Sequence, residues 1–125
     1  MDSCEKKILV VDDSNTNVVL LDAVLTNKGY KILTALSVKE AISILSRETP
    51  GLILLDLLMP KVNGYEFLAD IKRNESTRNI PVIVISAVTD IRDIQKSKML
   101  GADDYIEKPV NLDILLTKIE SKYRN

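Results

Sequence analysis

Three short stretches of the chain are apolar without interruption: Ile8 to Val11 (ILVV), Leu52 to Leu55 (LILL) and Val82 to Ile85 (VIVI). Runs of this length are too short for a buried helix. Lacking polar alternation, they predict strands covered on both faces, as in the interior of a parallel sheet. Two other segments, Lys31 to Ala35 (KILTA) and Asp104 to Glu107 (DYIE), mix polar and apolar residues and predict strands at the edges of that sheet.

Helical spacing fills the intervals. Leu112, Leu115, Leu116 and Ile119 follow the i, i+3, i+4, i+7 pattern of one buried face. Val38, Ala41, Ile42 and Leu45 repeat it after Ser37-Val-Lys-Glu40, which has the form of a capping box. Val18, Leu21 and Leu25 predict the inward face of an earlier helix that stops at Gly29. Phe67, Leu68 and Ile71 do the same for a helix from Gly64 to Asn74. Between Asp90 and Leu100 the pattern is weaker, because Ile91 and Ile94 give way to Gln95, Lys96 and Lys98 before Gly101. That helix is expected to be the most loosely packed.

Strand and helix thus alternate five times. Right-handed crossovers turn such an order into an α/β fold, a parallel sheet with helices on both faces. The wholly apolar strands are the first, third and fourth, and the mixed ones are the second and fifth. The strand order 2-1-3-4-5, the order of flavodoxin-like, doubly wound (βα)5 folds, requires this division, since it leaves only the second and fifth strands at the edges. A closed barrel of eight units would need about 250 residues, twice this chain. One domain over residues 1–125 is expected, with 1–6 as a flexible N-terminus.

Composition narrows the chemistry. With 17 basic and 18 acidic residues the net charge is -1, which gives no electrostatic reason to bind nucleic acid or an anionic membrane. No run approaches the roughly 18 apolar residues of a membrane span. The start MDSCEKK lacks a signal core, and the lone Cys4 suits a reducing compartment, so a cytoplasmic location is expected. The chain has no histidine. That excludes hydrolases with a histidine base, histidine-ligated metals, and a phosphohistidine carried by this chain. Its chemistry must run on carboxylates, hydroxyls and lysine.

In open parallel sheets ligands bind beyond the carboxyl ends of the strands, at the switch point between strands 1 and 3. Here strand 1 ends in Asp12 and Asp13, strand 3 in Asp56, strand 4 in Ser86, and strand 5 in Glu107 and Lys108. Taken singly, each has an ordinary structural explanation as a helix cap, a turn former, a satisfied hydroxyl or a surface charge. Taken together, three carboxylates would repel one another. With Lys108 they carry a formal charge of -2, which one divalent cation neutralises, and hard oxygen ligands favour Mg²⁺ or Mn²⁺.

At these residues the chain resembles the receiver domain of two-component response regulators, the family that includes the chemotaxis regulators. The resemblance runs from VVDDS at Asp12 and Asp13, through ILLDLLMPKVNG at Asp56, Met59, Pro60 and Gly64, to VIVISA at Ser86 and the pair Lys108-Pro109. It implies that Asp56 is the phosphoacceptor, already ionised at neutral pH and able to attack without a base. It further implies that Asp13, Asp56 and the backbone carbonyl of Leu58 bind Mg²⁺ directly, with Asp12 acting through water. Lys108 and Ser86 would contact the phosphoryl group, and a cis bond at Pro109 would aim the Lys108 ammonium. Ser86 and Tyr105 would be the switch pair, with Ala87 leaving room for Tyr105 to move. The surface of helix 4, strand 5 and helix 5 would carry the signal to a downstream protein of unknown identity. Leu58 has no polar group to orient an attacking water, which implies slow loss of the phosphoryl group.

The implied donor is a phosphohistidine on a sensor histidine kinase or histidine phosphotransfer protein, docking near helix 1 and the loop after strand 5. Such a domain catalyses its own phosphorylation and dephosphorylation without being a dedicated enzyme. Phosphorylation-dependent dimerisation through the signalling face is compatible with the resemblance. Direct nucleic-acid binding and membrane insertion are not expected. Three other functions fit the sequence less well. An aspartate-nucleophile phosphatase would need a second Asp where Leu58 stands, and a cap domain. A flavodoxin-type electron carrier would need a Gly-rich phosphate loop in place of DDSNTN. A pseudo-receiver acting only as a binding module would be expected to lack part of the acceptor set.

Overall fold

The sheet is built from β1 (Lys7–Val11), β2 (Lys31–Ala35), β3 (Leu52–Asp56), β4 (Val82–Ser86) and β5 (Asp104–Glu107). The helices α1 (Asn15–Asn27), α2 (Val38–Leu45), α3 (Gly64–Arg73), α4 (Ile91–Met99) and α5 (Leu112–Tyr123) follow the strands in turn. The computed structural model describes residues 6–57, 64–86, 91–108 and 110–123, with Ile91 and Asp93 described by backbone alone. Cys4, Leu58, Met59, Pro60, Ala87 and Pro109 therefore lie outside the described residues.

All pairings are parallel and the order is β2-β1-β3-β4-β5, with the two mixed strands at the edges as expected. Every residue of β3 and β4 is buried, whereas β2 and β5 have exposed or half-buried positions. Side chains alternate across a strand, so the interior divides into two layers. Leu9, Val11, Ile53, Leu55, Val82 and Val84 meet Ala41, Ile44, Phe67, Leu68 and Ile71 from α2 and α3. Ile8, Val10, Leu52, Leu54, Ile83 and Ile85 meet Val18, Leu21, Leu25, Leu115 and Ile119 from α1 and α5.

The helix ends follow local chemistry. Ser14 caps α1 by accepting from the Asn17 N–H, and Gly29 reverses the chain beyond α1 at φ +96°. Ser37 Oγ accepts from Glu40 N at 3.1 Å while Glu40 Oε1 accepts from Leu36 N at 2.8 Å, a capping box displaced by one residue on its return arm. In α2 the buried residues are Ala41 and Ile44, and Ile42 is 55% exposed, contrary to the predicted face. Ala41, Ile42, Ile44 and Leu45 together span more of the helix circumference than the sheet covers, so packing had to leave one outside. Among the described side chains of α4 only Ser97 is buried, which agrees with its weak apolar pattern.

The end of the sheet away from the strand carboxyl termini is tied by Lys72. Its Nζ donates to the carbonyls of Arg78 and Ile80 and to Asp103 Oδ2 at 3.0 Å, while Asp103 Oδ2 also accepts from Val82 N. At the same end Tyr123 of α5 donates its hydroxyl to the Lys7 carbonyl, and burial pushes its phenol up to about 12.

Candidate functional site

The β1–β3 pairing aligns Val11 with Leu55, so the next positions, Asp12 and Asp56, leave the sheet side by side. The backbone of Asp12 is still tied to the sheet, since its N–H donates to Ala35 O at 3.1 Å. On the other side of β3, β4 aligns Ile85 with Asp56, and β5 aligns Glu107 with Ser86. Lys108 N donates to Ser86 O at 2.9 Å, continuing the β4–β5 ladder by one step and setting the root of the lysine side chain.

Carboxylate oxygens of Asp12, Asp13 and Asp56 all lie within 4.8 Å of one another. Asp12 and Asp56 are buried and Asp13 is exposed, so the cluster has a closed floor and an open side. Lys108 Nζ donates to Asp56 Oδ2 at 3.0 Å from a side chain about a quarter exposed. The ammonium offsets one of three negative charges, and the remaining formal charge of -2 fits a divalent cation on hard oxygen donors. The donor set therefore suits the metal that the sequence implies. Ser86 is fully buried at the end of β4. Tyr105 is half-buried on β5 and packs against the α2–α3 side of the core, rather than lying free on the edge. Glu107 is exposed.

Two neighbours donate to the Asp12 carboxylate. Ser14 N donates to Asp12 Oδ1 at 2.9 Å, and Asn17 Nδ2 donates to Asp12 Oδ2 at 3.3 Å. An Asp two residues before a Ser is a common turn pattern, so the first contact was foreseeable. The second depends on how α1 leaves the sheet and has no local signature. Beside it, Asn17, Leu20, Leu21, Lys108, Val110 and Leu112 line an open cavity of about 300 Å³ between α1 and the start of α5.

Burial raises the Asp12 pKa above its ordinary value and the Asp56 charge adds to the rise, while the Ser14 N–H, Lys108 and Asn17 oppose it. A carboxyl whose pKa is raised by folding binds its proton more tightly in the folded state, so its ionisation costs stability as pH rises. Asp12→Asn should therefore stabilise the metal-free fold at neutral pH. The gain should shrink as pH falls through the raised pKa, where wild-type Asp12 becomes neutral too. Urea unfolding in EDTA at neutral and acid pH measures the difference, and a variant no more stable than wild type at neutral pH would contradict it.

Comparison with known proteins agrees with this architecture. The response regulator receiver domain profile matches residues 8–120. The chain is 38% identical over 120 residues to "Probable transcriptional regulator ycf27" of Porphyridium aerugineum, covering 96% of this chain and 49% of that protein. It is 36% identical over 118 residues to response regulator PleD of Caulobacter vibrioides, covering 94% of this chain and 26% of that protein. Among solved structures, the signal receiver domain of a signal transduction histidine kinase from Syntrophus aciditrophicus superposes with a TM-score of 0.86 at 34% identity, covering 96% of this chain and 94% of that one. A two-component response regulator from Clostridium difficile superposes with a TM-score of 0.91 at 27% identity, covering 97% and 98%.

The chain belongs to the response regulator receiver domain family, with the five-stranded parallel fold of the chemotaxis-type receivers. It spans about half the length of the first of these curated relatives and about a quarter of the second. No helix among the described residues is long and apolar enough to cross a membrane.

Proposed function

We propose that residues 1–125 act as one phospho-accepting receiver unit, in which Asp56 takes a phosphoryl group from a phosphohistidine on a partner kinase or phosphotransfer protein. The observation that carries this reading is the buried Asp56 carboxylate, paired to Lys108 at 3.0 Å and grouped with Asp12 and Asp13 at the carboxyl end of the sheet. Asp13, Asp56 and the Leu58 carbonyl would hold Mg²⁺, with Asp12 reaching it through water. Bound there, Mg²⁺ supplies positive charge against the phosphoryl oxygens.

The protein's own groups do the rest. An Asp56 oxygen attacks phosphorus, the P–N bond to the donor imidazole breaks, and the imidazole departs with its electron pair and takes up a proton from solvent. Lys108 offsets the growing negative charge beside Asp56, and Ser86 offers a hydroxyl to the transferred group. The cavity walled by Leu20, Leu21, Val110 and Leu112 opens beside Lys108, and Leu20 is 52% exposed, which supplies an apolar landing surface for the donor protein next to the acceptor. After transfer, Ser86 and Tyr105 rearrange. The α4–β5–α5 face then presents a changed surface to a downstream protein, or to a second receiver.

Incubation with acetyl phosphate and Mg²⁺, followed by intact-mass measurement, tests the reading. Wild type is expected to gain one phosphoryl group, and Asp56→Asn none; EDTA should prevent the gain. An adduct that persists in Asp56→Asn, or its absence from wild type, would overturn the assignment.

A further inference from the structure

We infer that Asn17 is a positioning residue for the cation site, holding the Asp12 carboxylate in place with an uncharged donor. The inference rests on the proposed reading of Asp12, Asp13 and Asp56 as a Mg²⁺ site. Its starting point is the pair of contacts that the first turn of α1 makes with Asp12: Ser14 N to Oδ1 and Asn17 Nδ2 to Oδ2. Each oxygen of Asp12 thus has its own donor. Asn17 is tied into the same turn, because its backbone N–H donates to Ser14 Oγ at 3.3 Å.

The need for such a clamp follows from charge. Asp12 is buried with a carboxylate oxygen less than 5 Å from those of Asp13 and Asp56, and like charges at that separation push apart. Lys108 restrains Asp56 directly, but its Nζ is bonded to Asp56 and not to Asp12. If only the Ser14 N–H held Asp12, its carboxylate could pivot about Oδ1 and swing Oδ2 away from its neighbours. Asn17 closes that route. A lysine at the same position would hold Asp12 too, while cancelling the charge that attracts the cation. An amide orients the carboxylate and leaves the formal charge of -2 intact. Groups that orient a ligand in this way govern metal affinity without touching the metal.

The position of Asn17 adds a second consequence. The residue also lines the cavity shared by Lys108, Leu20, Leu21, Val110 and Leu112, the space assigned to the donor protein. A single residue therefore borders both the carboxylate cluster and the docking surface.

Titration calorimetry with Mg²⁺ alone, on the full chain, tests the role. Asn17→Leu is expected to weaken Mg²⁺ binding about tenfold or more, the scale of one lost hydrogen bond to a carboxylate. Asn15→Leu, at an exposed position in the same turn, should leave binding within about twofold of wild type, as surface substitutions generally do. In the metal-free protein, the carboxyl carbon resonance of Asp12 should move in Asn17→Leu and not in Asn15→Leu, with the amide resonances of α1 beyond its first turn unchanged. Wild-type Mg²⁺ affinity in Asn17→Leu, equal losses in both variants, or an unmoved Asp12 resonance overturns the inference. If wild type itself binds no Mg²⁺, the metal reading beneath it fails instead, and the role of Asn17 falls with it.

Discussion

Gly64→Ala is expected to destabilise the fold by about 2 kcal/mol and to slow phosphoryl transfer to Asp56 by about tenfold or more. Gly64 is the first residue of α3, and a Cβ placed on it would lie 2.7 Å from Leu57 Cα, 2.8 Å from Leu57 O and 3.0 Å from Leu57 C. All three atoms are backbone, so no side-chain rotation relieves the overlap. Either α3 retreats from the sheet, opening the contacts of Phe67 and Leu68, or Leu57 shifts and carries Asp56 with it. The second outcome disturbs the 3.0 Å contact to Lys108, and reacting groups tolerate little misplacement. Alanine's better helix propensity offsets part of the loss, at most about 1 kcal/mol. Urea unfolding and the rate of acetyl phosphate labelling measure the two effects separately. A variant with wild-type values for both would show that the strand end and the helix can part without cost.

Lys108→Met should produce the other large change, with a size that depends on the metal. In the metal-free protein it removes the Lys108 ammonium from beside buried Asp56, so the negative charge of three clustered carboxylates is less offset. Breaking a buried ion pair costs about 3–5 kcal/mol, and because Lys108 is partly solvated a loss of about 2 kcal/mol is expected here. Saturating Mg²⁺ should restore more stability to the variant than it adds to wild type, because the cation then meets a site with no competing ammonium. Acceptance of the phosphoryl group should nevertheless fall, since the positive charge beside the attacked phosphorus is gone. Thermal unfolding with and without Mg²⁺, together with labelling by acetyl phosphate, checks both arms. Equal destabilisation in EDTA and in Mg²⁺ would mean that the ammonium acts chiefly through packing.

The two predictions differ in how visible their causes were in the linear chain. Lys108 was legible: a lysine directly after a short edge strand, in a fold whose ligands gather at that end of the sheet, belongs among the site candidates. Gly64 was legible as part of a motif and as a helix start, but its contact with Leu57 was not, because it arises only when α3 packs beside the end of β3. Asp12, Asp13 and Asp56 could be grouped from the strand order alone, as their separation follows from a parallel register. Asn17 could not. A polar residue in the first turn of an amphipathic helix is ordinary, and only the angle at which α1 leaves β1 brings its amide to Asp12. The misassigned face of α2 has a related origin. Ile42 and Ile44 are equally apolar, and the choice between them lay with the sheet against which the helix packs.

The amino-acid sequence by itself determined where strands and helices fall, because a strand covered on both faces must be apolar throughout and a helix covered on one face must repeat every three to four residues. It also determined which strands lie at the edges, through the contrast between wholly apolar and mixed strands, and the chemical kind of group at each strand end. Tertiary structure decided distances. The parallel β1–β3 register set Asp12 beside Asp56, the β4–β5 ladder carried Lys108 to 3.0 Å from that carboxylate, and the close approach of α3 to Leu57 required a residue without a side chain. Charge interactions and steric overlap depend on separations of a few ångströms, and residues far apart in the chain acquire such separations only when the whole sheet has assembled.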